Sequence, residues 1–262
     1  MPEGHTIHRL ARDQARDLVG HHIRTAVVQD RFAAGAALLD ARTVSSVEAY
    51  GKHLFHWWEG GVILHVHLGL FGRWQRRRSP PPPPVGQMRL RLEGPTHTWD
   101  LAGAITTRII SPDERDEVVA PLGPDPLRPE AGPERMWDRV RRSRTPIGTL
   151  LMDQKVVAGV GNVYRAELLF LVGVHPTRPG REVSRDEFDR LWAEMVSQLR
   201  LGVRRNRIIT RSPAETGPAT RIRMDEALYV YKRSECRWCG SDLDVLTLAG
   251  RRTWACPVHQ RR

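Results

Sequence analysis

Three cysteines and one histidine, close together in the sequence, have the types and the spacing of a metal site. Cys236 and Cys239 are separated by two residues, and Cys256 and His259, sixteen residues further on, are separated by two more. Paired thiolates and an imidazole on two tight turns are ligands that tetrahedral Zn²⁺ takes in structural sites. The set supplies four protein ligands and no open position, so we predict one structural zinc ion. The alternative is a group of buried cysteines without a metal.

The first residues offer a second kind of chemistry. Pro2 and Glu3 follow the initiator Met directly, and a small residue at position 2 usually leads to removal of that Met. Removal would leave a secondary α-amine beside a carboxylate. An α-amine has a reference pKa of roughly 7.7 to 8.0, so a useful fraction is a neutral nucleophile near pH 7. A proline at this position can also have no functional role, and other motifs in the sequence are needed to distinguish the two possibilities.

The chain is strongly basic, with 41 Lys and Arg against 30 Asp and Glu and a net charge of +11. Such an excess indicates a polyanionic partner, most often nucleic acid, although a solvated arginine-rich surface is the alternative. Lysine occurs only at Lys52, Lys155 and Lys232. Because an ammonium and a guanidinium are not interchangeable, these positions are candidates for particular roles.

A glycine-rich turn between two predicted helices is a candidate phosphate site. It runs from Ala158 through Gly161 to Asn162, with Lys155 close before it. Glycines allow the close approach of another backbone, and the amides that open the next helix can bind phosphate oxygens. Taken alone, a glycine-rich turn between helices often serves only to let the two helices pack closely. Together with the net charge and the metal segment, it predicts contact with a nucleic-acid backbone.

Two kinds of element must position these residues. The sequence predicts a helix over 6–19, then strands typical of an antiparallel sandwich or barrel over 23–29, 43–50, 53–58, 62–68, 88–92, 97–101 and 105–110. Further on it predicts helices over 134–142, 146–154, 162–172 and 185–201, the last opened by a capping box of Ser184 and Glu187. Strands 244–248 and 253–255 form a hairpin, with Arg251 and Arg252 at its turn.

These elements predict an α+β chain in four parts. They are a β-sandwich domain over 1–111, a Pro- and Gly-rich linker over 112–133, a helical domain over 134–228 and a metal-bound hairpin over 229–262. No apolar run is long enough to span a bilayer, so no membrane partner is expected. Cysteines confined to a metal site favour a reducing compartment, which predicts a cytoplasmic protein.

Several segments together resemble the formamidopyrimidine-DNA glycosylase/endonuclease VIII family. They are MPEG, YGKHLF, HLGLFG, LGPDPL, LMDQKVVAGVGNVYRAELLF and GRRTWACPVHQ, in the family's order and at similar spacing. The start, MPEGHTIHRLA, is most similar to the actinobacterial branch of endonuclease VIII. The resemblance implies an N-terminal helix with an antiparallel β-sandwich, then a helix–two-turn–helix domain and a zinc-finger hairpin.

The resemblance also implies a bifunctional DNA glycosylase/AP lyase of base excision repair, acting on damaged DNA as a monomer. Pro2 would be the nucleophile, Glu3 the acid at the sugar ring, and Lys52 a phosphate-binding or proton-transfer group. Oxidised pyrimidines are favoured over 8-oxoguanine. The alternatives are a catalytically silent DNA-binding protein on the same scaffold and a zinc-ribbon transcription or ribosomal factor, which would leave the N-terminus unexplained.

The implied DNA contacts come from three places. Asn162 and its glycine turn, with Lys155, form one phosphate contact, and Arg251 forms another. A nucleotide that leaves the stack leaves a gap, which Leu70 and Phe71 would fill as a wedge. The alternative is that both are ordinary core residues.

Two features depart from the family's pattern. His5 and Thr6 stand where the family often has a proline and a glutamate, so one carboxylate near the nucleophile is absent, and His5 is either an acid/base or a structural group. His259 stands where the family usually has a cysteine. The segment 207–228 is where a base-capping loop would lie, and its conformation cannot be deduced from the sequence.

Overall fold

A computed structural model describes residues 2–28, 30–84, 86–216, 222–223 and 226–262. The chain divides into two compact units, the N-terminal unit Met1–Pro121 and the C-terminal unit Leu122–Arg262. Met1 and part of the segment 207–228, the predicted base-capping loop, lie outside the described residues. Among the described helices, none is long and apolar enough to cross a bilayer.

The N-terminal unit is a helix on an antiparallel sheet. Its helices are α1 (Gly4–Leu18), α2 (Ala33–Leu39) and α3 (Pro112–Val119), with a short 3₁₀ turn at Asp30–Phe32. Its strands are β1 (His22–Ala26), β2 (Arg42–Tyr50), β3 (His53–Trp58), β4 (Val62–His67), β5 (Arg73–Arg78), β6 (Met88–Glu93), β7 (His97–Ala102) and β8 (Thr106–Ile110). Their order is β5-β7-β6-β1-β2-β3-β4-β8, so β5 and β8 are the edges.

The core of this unit explains why α1 lies where it does. Ile7 and Leu18 on one face of α1 are buried with sheet residues such as Leu54 and Leu64. Apolar side chains at helical spacing give α1 one face to bury, and the central strands β3 and β4 are buried on both faces over consecutive residues. The position of Pro2 and Glu3 follows from this packing, because they directly precede α1.

Three elements of this unit, α2, α3 and β5, were missed by the sequence reasoning. Strand β5 reads RWQRRR, and only Trp74 of its six residues is buried, so no apolar run marked it. Helix α3 lies within the predicted linker 112–133. The Ser111 hydroxyl accepts the Glu114 N–H and the Glu114 carboxylate accepts the Ser111 N–H, which is a capping box.

The C-terminal unit is helical and ends in a hairpin. It contains α4 (Glu134–Val140), α5 (Ile147–Leu150), α6 (Asn162–Leu171), α7 (Arg185–Arg205), α8 (Pro213–Thr216), β9 (Asp244–Leu248) and β10 (Arg251–Ala255), with a 3₁₀ turn at Gly180–Glu182. The predicted capping box of Ser184 and Glu187 opens α7 and is confirmed. The α+β class, with an antiparallel sandwich sheet followed by helices and a hairpin, is likewise confirmed.

Candidate functional site

The residues before α1 are held firmly. Pro2 is half-buried and Glu3 is fully buried in an extended conformation, with φ −118° and ψ 179°. The Glu3 carbonyl accepts the N–H of Thr6 at 2.9 Å and that of Ile7 at 3.4 Å. Glu3 is thus the N-cap of α1, where the helix dipole favours a negative charge. The chain presents an amine position and a carboxylate side by side at the start of a rigid helix.

His5 lies in the first turn of the same helix. It is 4% exposed, and burial lowers the pKa of its imidazole to about 4. Its Nε2 lies 3.2 Å from the Thr6 hydroxyl. A histidine that is neutral at pH 7 cannot act there as an imidazolium acid, so a hydrogen-bonding role or a role as a base remains.

Lys52 occupies the two-residue turn between β2 and β3. Tyr50 and His53 are register partners, so only Gly51 and Lys52 make the turn, and Gly51 has a φ of 56°. A glycine with positive φ at this position suits the tight turns that join twisted strands. Helix α1 packs on β2 and β3, so the strands that carry Lys52 support the helix that follows Pro2 and Glu3.

The loop after β4 presents apolar side chains to solvent. Leu70 is 53% exposed and Phe71 is 83% exposed, which contradicts the alternative that they are core residues. A Cβ on Gly72 would lie 2.2 Å from the Leu68 carbonyl oxygen, so only glycine allows this tight loop. Ile105 is 73% exposed and packs against Gly69, and the sequence reasoning missed it. We call Leu70, Phe71 and Ile105 the exposed apolar cluster.

The glycine turn of the C-terminal unit is closed by a glutamine. Gln154 accepts the Gly159 N–H through Oε1 at 3.1 Å and donates from Nε2 to the Val160 carbonyl at 3.0 Å. A Cβ on Gly123 would lie 2.3 Å from the Val156 carbonyl oxygen, which explains the glycine of LGPDPL. Lys155 is exposed beside this turn. The turn leads through Gly161, the N-cap of α6, directly into Asn162.

Arg251 and Arg252 are not in the turn of the hairpin, and that part of the prediction is wrong. They open β10 and pair with Leu248 and Thr247. The turn is Ala249 and Gly250, with φ values of 51° and 68°. Two central residues with positive φ are typical of the type I′ turn that matches the strand twist. Both arginine side chains are nevertheless exposed.

A buried arginine brings Asn162 and the hairpin together. Arg165, fully buried on α6, donates to the Leu248 and Arg252 carbonyls, each at 3.1 Å, and to the Asn162 Oδ1. Asn162 donates from Nδ2 to the Arg252 carbonyl at 3.1 Å. A cleft of about 710 Å³ opens here, lined by residues that include Asn162, Tyr231, Lys232, Arg251, Arg252 and Trp254. The sequence signal for Arg165 was that it and Glu167 are the two charges in the largely apolar stretch YRAELLF.

Glu167 fixes the segment that leads to the metal ligands. It is fully buried, and its carboxylate accepts the N–H groups of Tyr229, Val230 and Tyr231, each at 2.8 Å, and the Thr210 hydroxyl. Burial raises the pKa of Glu167, while these four donors act in the opposite direction. Each carboxylate oxygen accepts two hydrogen bonds, which the ionised form does best.

The predicted metal ligands lie together. The ligand atoms of Cys236, Cys239, Cys256 and His259 are all within 4.8 Å of one another. The Cys239 and Cys256 Sγ atoms are 3.7 Å apart, and the His259 Nδ1 lies 3.6 Å from the Cys236 Sγ and 3.3 Å from that of Cys256. Tetrahedral ligands at about 2.3 Å for sulfur and 2.0 Å for nitrogen would be about 3.5 to 3.8 Å apart. The group therefore fits one metal ion.

Comparisons with known proteins agree with this geometry. Residues 1–102 match the formamidopyrimidine-DNA glycosylase N-terminal domain, and residues 122–214 match the formamidopyrimidine-DNA glycosylase H2TH domain. The chain is 45% identical to Endonuclease 8 1 of Mycobacterium tuberculosis (strain H37Rv), covering 99% of this chain and 100% of that protein. It is 33% identical to Probable endonuclease 8 2 of Streptomyces coelicolor, covering 99% and 94%.

Solved structures share the fold at lower identity. Lactococcus lactis Fpg (MutM), in a complex with DNA containing N7-benzyl-Fapy-dG, has a TM-score of 0.84 at 23% identity and full coverage of both chains. The same protein with abasic-site DNA has a TM-score of 0.83 at 22% identity, covering 99% of this chain and 100% of that one. With domain matches at both ends and relatives aligned over nearly its whole length, the chain belongs to the formamidopyrimidine-DNA glycosylase/endonuclease VIII family.

Proposed function

We propose that this protein excises oxidised bases, pyrimidines in particular, from DNA and then cleaves the strand. DNA glycosylase and AP lyase chemistry is that of its family. The observation that carries the proposal is the pair Pro2 and Glu3 at the start of α1, with the Glu3 side chain fully buried. The preference for pyrimidines rests on the likeness to endonuclease VIII, and a panel of oligonucleotides with one lesion each tests it.

The proposed reaction begins at the Pro2 nitrogen once Met1 has been removed. The nitrogen attacks C1′ of the damaged nucleotide, the N–C1′ bond forms, and the bond to the base breaks. The base leaves with the electron pair of its bond and takes a proton from water. The Glu3 carboxylate takes up the proton that the Pro2 nitrogen loses and gives it to the ring oxygen O4′, so that the ring opens and an iminium links the protein to the sugar. The iminium acidifies the C2′ proton. Loss of that proton expels the 3′ phosphate, and a second elimination expels the 5′ phosphate.

Other residues would hold the DNA for this step. We assign Lys52 to a phosphate or to proton transfer beside the lesion, and the exposed apolar cluster to the gap that an extruded nucleotide leaves. Its exposure supports this role, because large apolar side chains on a surface mark interaction sites.

A second set of contacts lies in the C-terminal unit. Asn162, tied to the hairpin through Arg252, has a second amide hydrogen to offer to a phosphate, and Arg251 adds a guanidinium at the same cleft. Lys155 and the Gly161 backbone are assigned to the same strand of DNA. These residues position the backbone and carry no sequence information.

We further propose that the metal is one Zn²⁺ with a structural role. Three thiolates and an imidazole suit zinc and leave no position for water or substrate. The ion would hold the two turns from which β9 and β10 extend. We also propose that the protein acts as a monomer in the cytoplasm, where thiols stay reduced.

Borohydride trapping on an abasic oligonucleotide tests the nucleophile. The protein with a free Pro2 amine should form a covalent adduct, because borohydride reduces the iminium to a stable amine. A protein blocked at the N-terminus by a fused tag should form none, since an amide nitrogen has no available lone pair. The matched control is Lys52→Met with a free N-terminus, which should still be trapped. If the blocked protein formed an adduct, the nucleophile would be Lys52 instead of Pro2. If neither protein formed an adduct, the catalytically silent alternative would be favoured.

Glu3→Gln separates the two steps. It should slow base excision more than it slows cleavage of a preformed abasic site, because the sugar of that site opens spontaneously and has no base to lose. Equal loss on both substrates would remove Glu3 from the ring-opening step.

A further inference from the structure

Three histidines lie on one face of the sheet beside Lys52, and the mechanism above uses none of them. His53 on β3 is the register partner of His67 on β4, and His65 is the partner of Arg108 on β8. Partners share a face, and so do residues two apart on one strand, so all four side chains lie on the same side. The His53 and His65 rings are stacked, with centroids 5.1 Å apart.

The hydrogen bonds of this group have only one possible direction. The Arg108 Nε–H lies 3.3 Å from the His65 Nδ1, and a guanidinium can only donate. The His65 Nδ1 is therefore an acceptor, and His65 carries its proton on Nε2. That proton is donated to the His53 Nδ1, 2.9 Å away. His53 must then carry its own proton on Nε2.

The same contacts keep both rings neutral. A protonated imidazole has no acceptor nitrogen, whereas the His65 Nδ1 and the His53 Nδ1 each accept a hydrogen bond. Burial lowers the pKa of His53 to about 3 and that of His65 to about 4. The charges on Lys52 and Arg108 act in the same direction, because each would repel a positive charge on His53.

The outer nitrogen of His53 is available to a ligand. His53 is half-buried, and its Nε2 makes no hydrogen bond to any residue in the described part of the chain. The Arg108 charge polarises the chain of imidazoles, which strengthens the final N–H as a donor. Because the His53 ring is neutral, its Nε2–H can lie beside the Lys52 ammonium without charge repulsion. An anion attracted by Lys52 would offer an oxygen that accepts a hydrogen bond from the His53 Nε2–H.

We propose that His53 donates its Nε2–H to a backbone oxygen of the DNA strand held at Lys52, and that Arg108 and His65 are the positioning residues that fix its tautomer. The inference rests on the proposed function, since it takes DNA as the ligand. The specific claim is that a neutral side chain, His53, contacts the charged DNA backbone. Such a contact releases no counterion, unlike those of lysine and arginine.

Binding to a duplex with a tetrahydrofuran abasic analogue, measured over a range of salt concentrations, tests this contact. His53→Leu should weaken binding about tenfold, as expected for a hydrogen bond to a charged group, with the salt slope unchanged. His53→Gln places an amide N–H near the position of Nε2 and should keep most of the affinity. Lys52→Met should lower the slope by about one. Unchanged affinity of His53→Leu, or a slope lowered by one, would overturn the proposal.

Nitrogen NMR of histidine-labelled protein tests the tautomer without a substitution. His53 and His65 should both show the Nε2–H pattern and should not titrate between pH 5 and pH 8. In Arg108→Leu, His53 should become a mixture of tautomers while the protein stays folded. An Nδ1–H tautomer or a protonated ring at His53 in the unsubstituted protein would refute the proposed series of hydrogen bonds from Arg108 through His65 to His53. If the unsubstituted protein did not bind the abasic duplex, the proposed function itself would fail instead.

Discussion

Both units bury charged side chains, for example Arg91 beside Asp100 in the N-terminal unit, and they differ in two further features. In the N-terminal unit, His5, His56 and His65 are buried, and burial lowers the pKa of each. In the C-terminal unit, Arg165 and Glu167 are fully buried as ions that bind backbone groups from segments more than 60 residues away in sequence. A neutral imidazole keeps its place only while it remains unprotonated. A buried ion keeps its place only while its partners remain.

This difference predicts different vulnerabilities. The N-terminal unit should be sensitive to acid, because protons compete for its histidines. The C-terminal unit should be sensitive to the loss of a metal ion or of one ionic partner.

Removal of the metal should have the largest effect. Structural Zn²⁺ contributes about 10 to 16 kcal/mol in zinc-finger peptides, so the hairpin should unfold after chelation or in Cys236→Ser. Affinity for abasic-analogue DNA should fall at least about a thousandfold, and native mass spectrometry should find about one zinc in the intact protein. Hydrogen exchange of β2 to β4 should stay unchanged. A metal-free protein with full DNA binding would refute the structural role.

Loss of the buried arginine should follow. Arg165→Met removes the donors to the Leu248 and Arg252 carbonyls and should lower the free energy of unfolding of the C-terminal unit by about 3 kcal/mol. Denaturant unfolding measures this change, and hydrogen exchange of each unit's amides distinguishes the unfolding of the C-terminal unit from that of the N-terminal unit. Arg190→Met, which replaces an exposed arginine on α7, is the matched control and should change little. Equal effects of the two substitutions would show that the buried contacts are not required.

Acid should act on the N-terminal unit. His56 is fully buried, neither ring nitrogen has a partner among the described residues, and burial lowers its pKa to about 3. The unfolded chain takes up this proton near pH 6.5 and the folded chain does not, so stability falls as the pH drops below 6.5. At pH 5 the loss from His56 is about 2 kcal/mol. His5, His53 and His65 act in the same direction.

His56→Leu isolates that contribution. It removes the titrating ring, so the free energy of unfolding should depend less steeply on pH between 5 and 6.5, by up to about 1.4 kcal/mol per pH unit. His22→Leu, at an exposed position on β1, is the matched control for the loss of a histidine side chain. The C-terminal unit should respond less to the same acid, and a steeper response there would reverse the comparison.

The smallest effect should come from a single exposed arginine of the C-terminal unit. Arg251→Ala removes a cation and leaves the backbone carbonyl that binds Arg165 in place. Binding should weaken several-fold and equally for all lesions, and the salt slope should fall by about one. A changed lesion preference with an unchanged slope would assign Arg251 to a base instead.

Local patterns were predictable from the sequence, and contacts between distant segments were not. The metal ligands, the Ser184 cap and the bounds of β3 follow from spacing within a few residues. The hydrogen bonds of His65 with His53 and Arg108 depend on the register of three strands, which no single segment encodes. Arg165 and Glu167 looked like ordinary charges on a helix until their distant backbone partners were known.

The wrong position of Arg251 has the same origin. The predicted strands 244–248 and 253–255 leave Arg251 and Arg252 in the turn, whereas backbone φ values put the turn at Ala249 and Gly250. Strand β5 was missed because arginine dominates it. In each case tertiary context overrode the local preference.

The arginines of β5 have a consequence for the protein at high concentration. An edge strand offers unpaired N–H and C=O groups to any other strand, which is a common route to aggregation. On β5 that edge carries Arg73, Arg76, Arg77 and Arg78 around one buried tryptophan. Arg76 and Arg77 pair with Asp17 and Asp100, but two copies meeting edge to edge would bring Arg73 and Arg78 together and repel each other. Solubility should therefore be greatest at low ionic strength, where this repulsion is least screened.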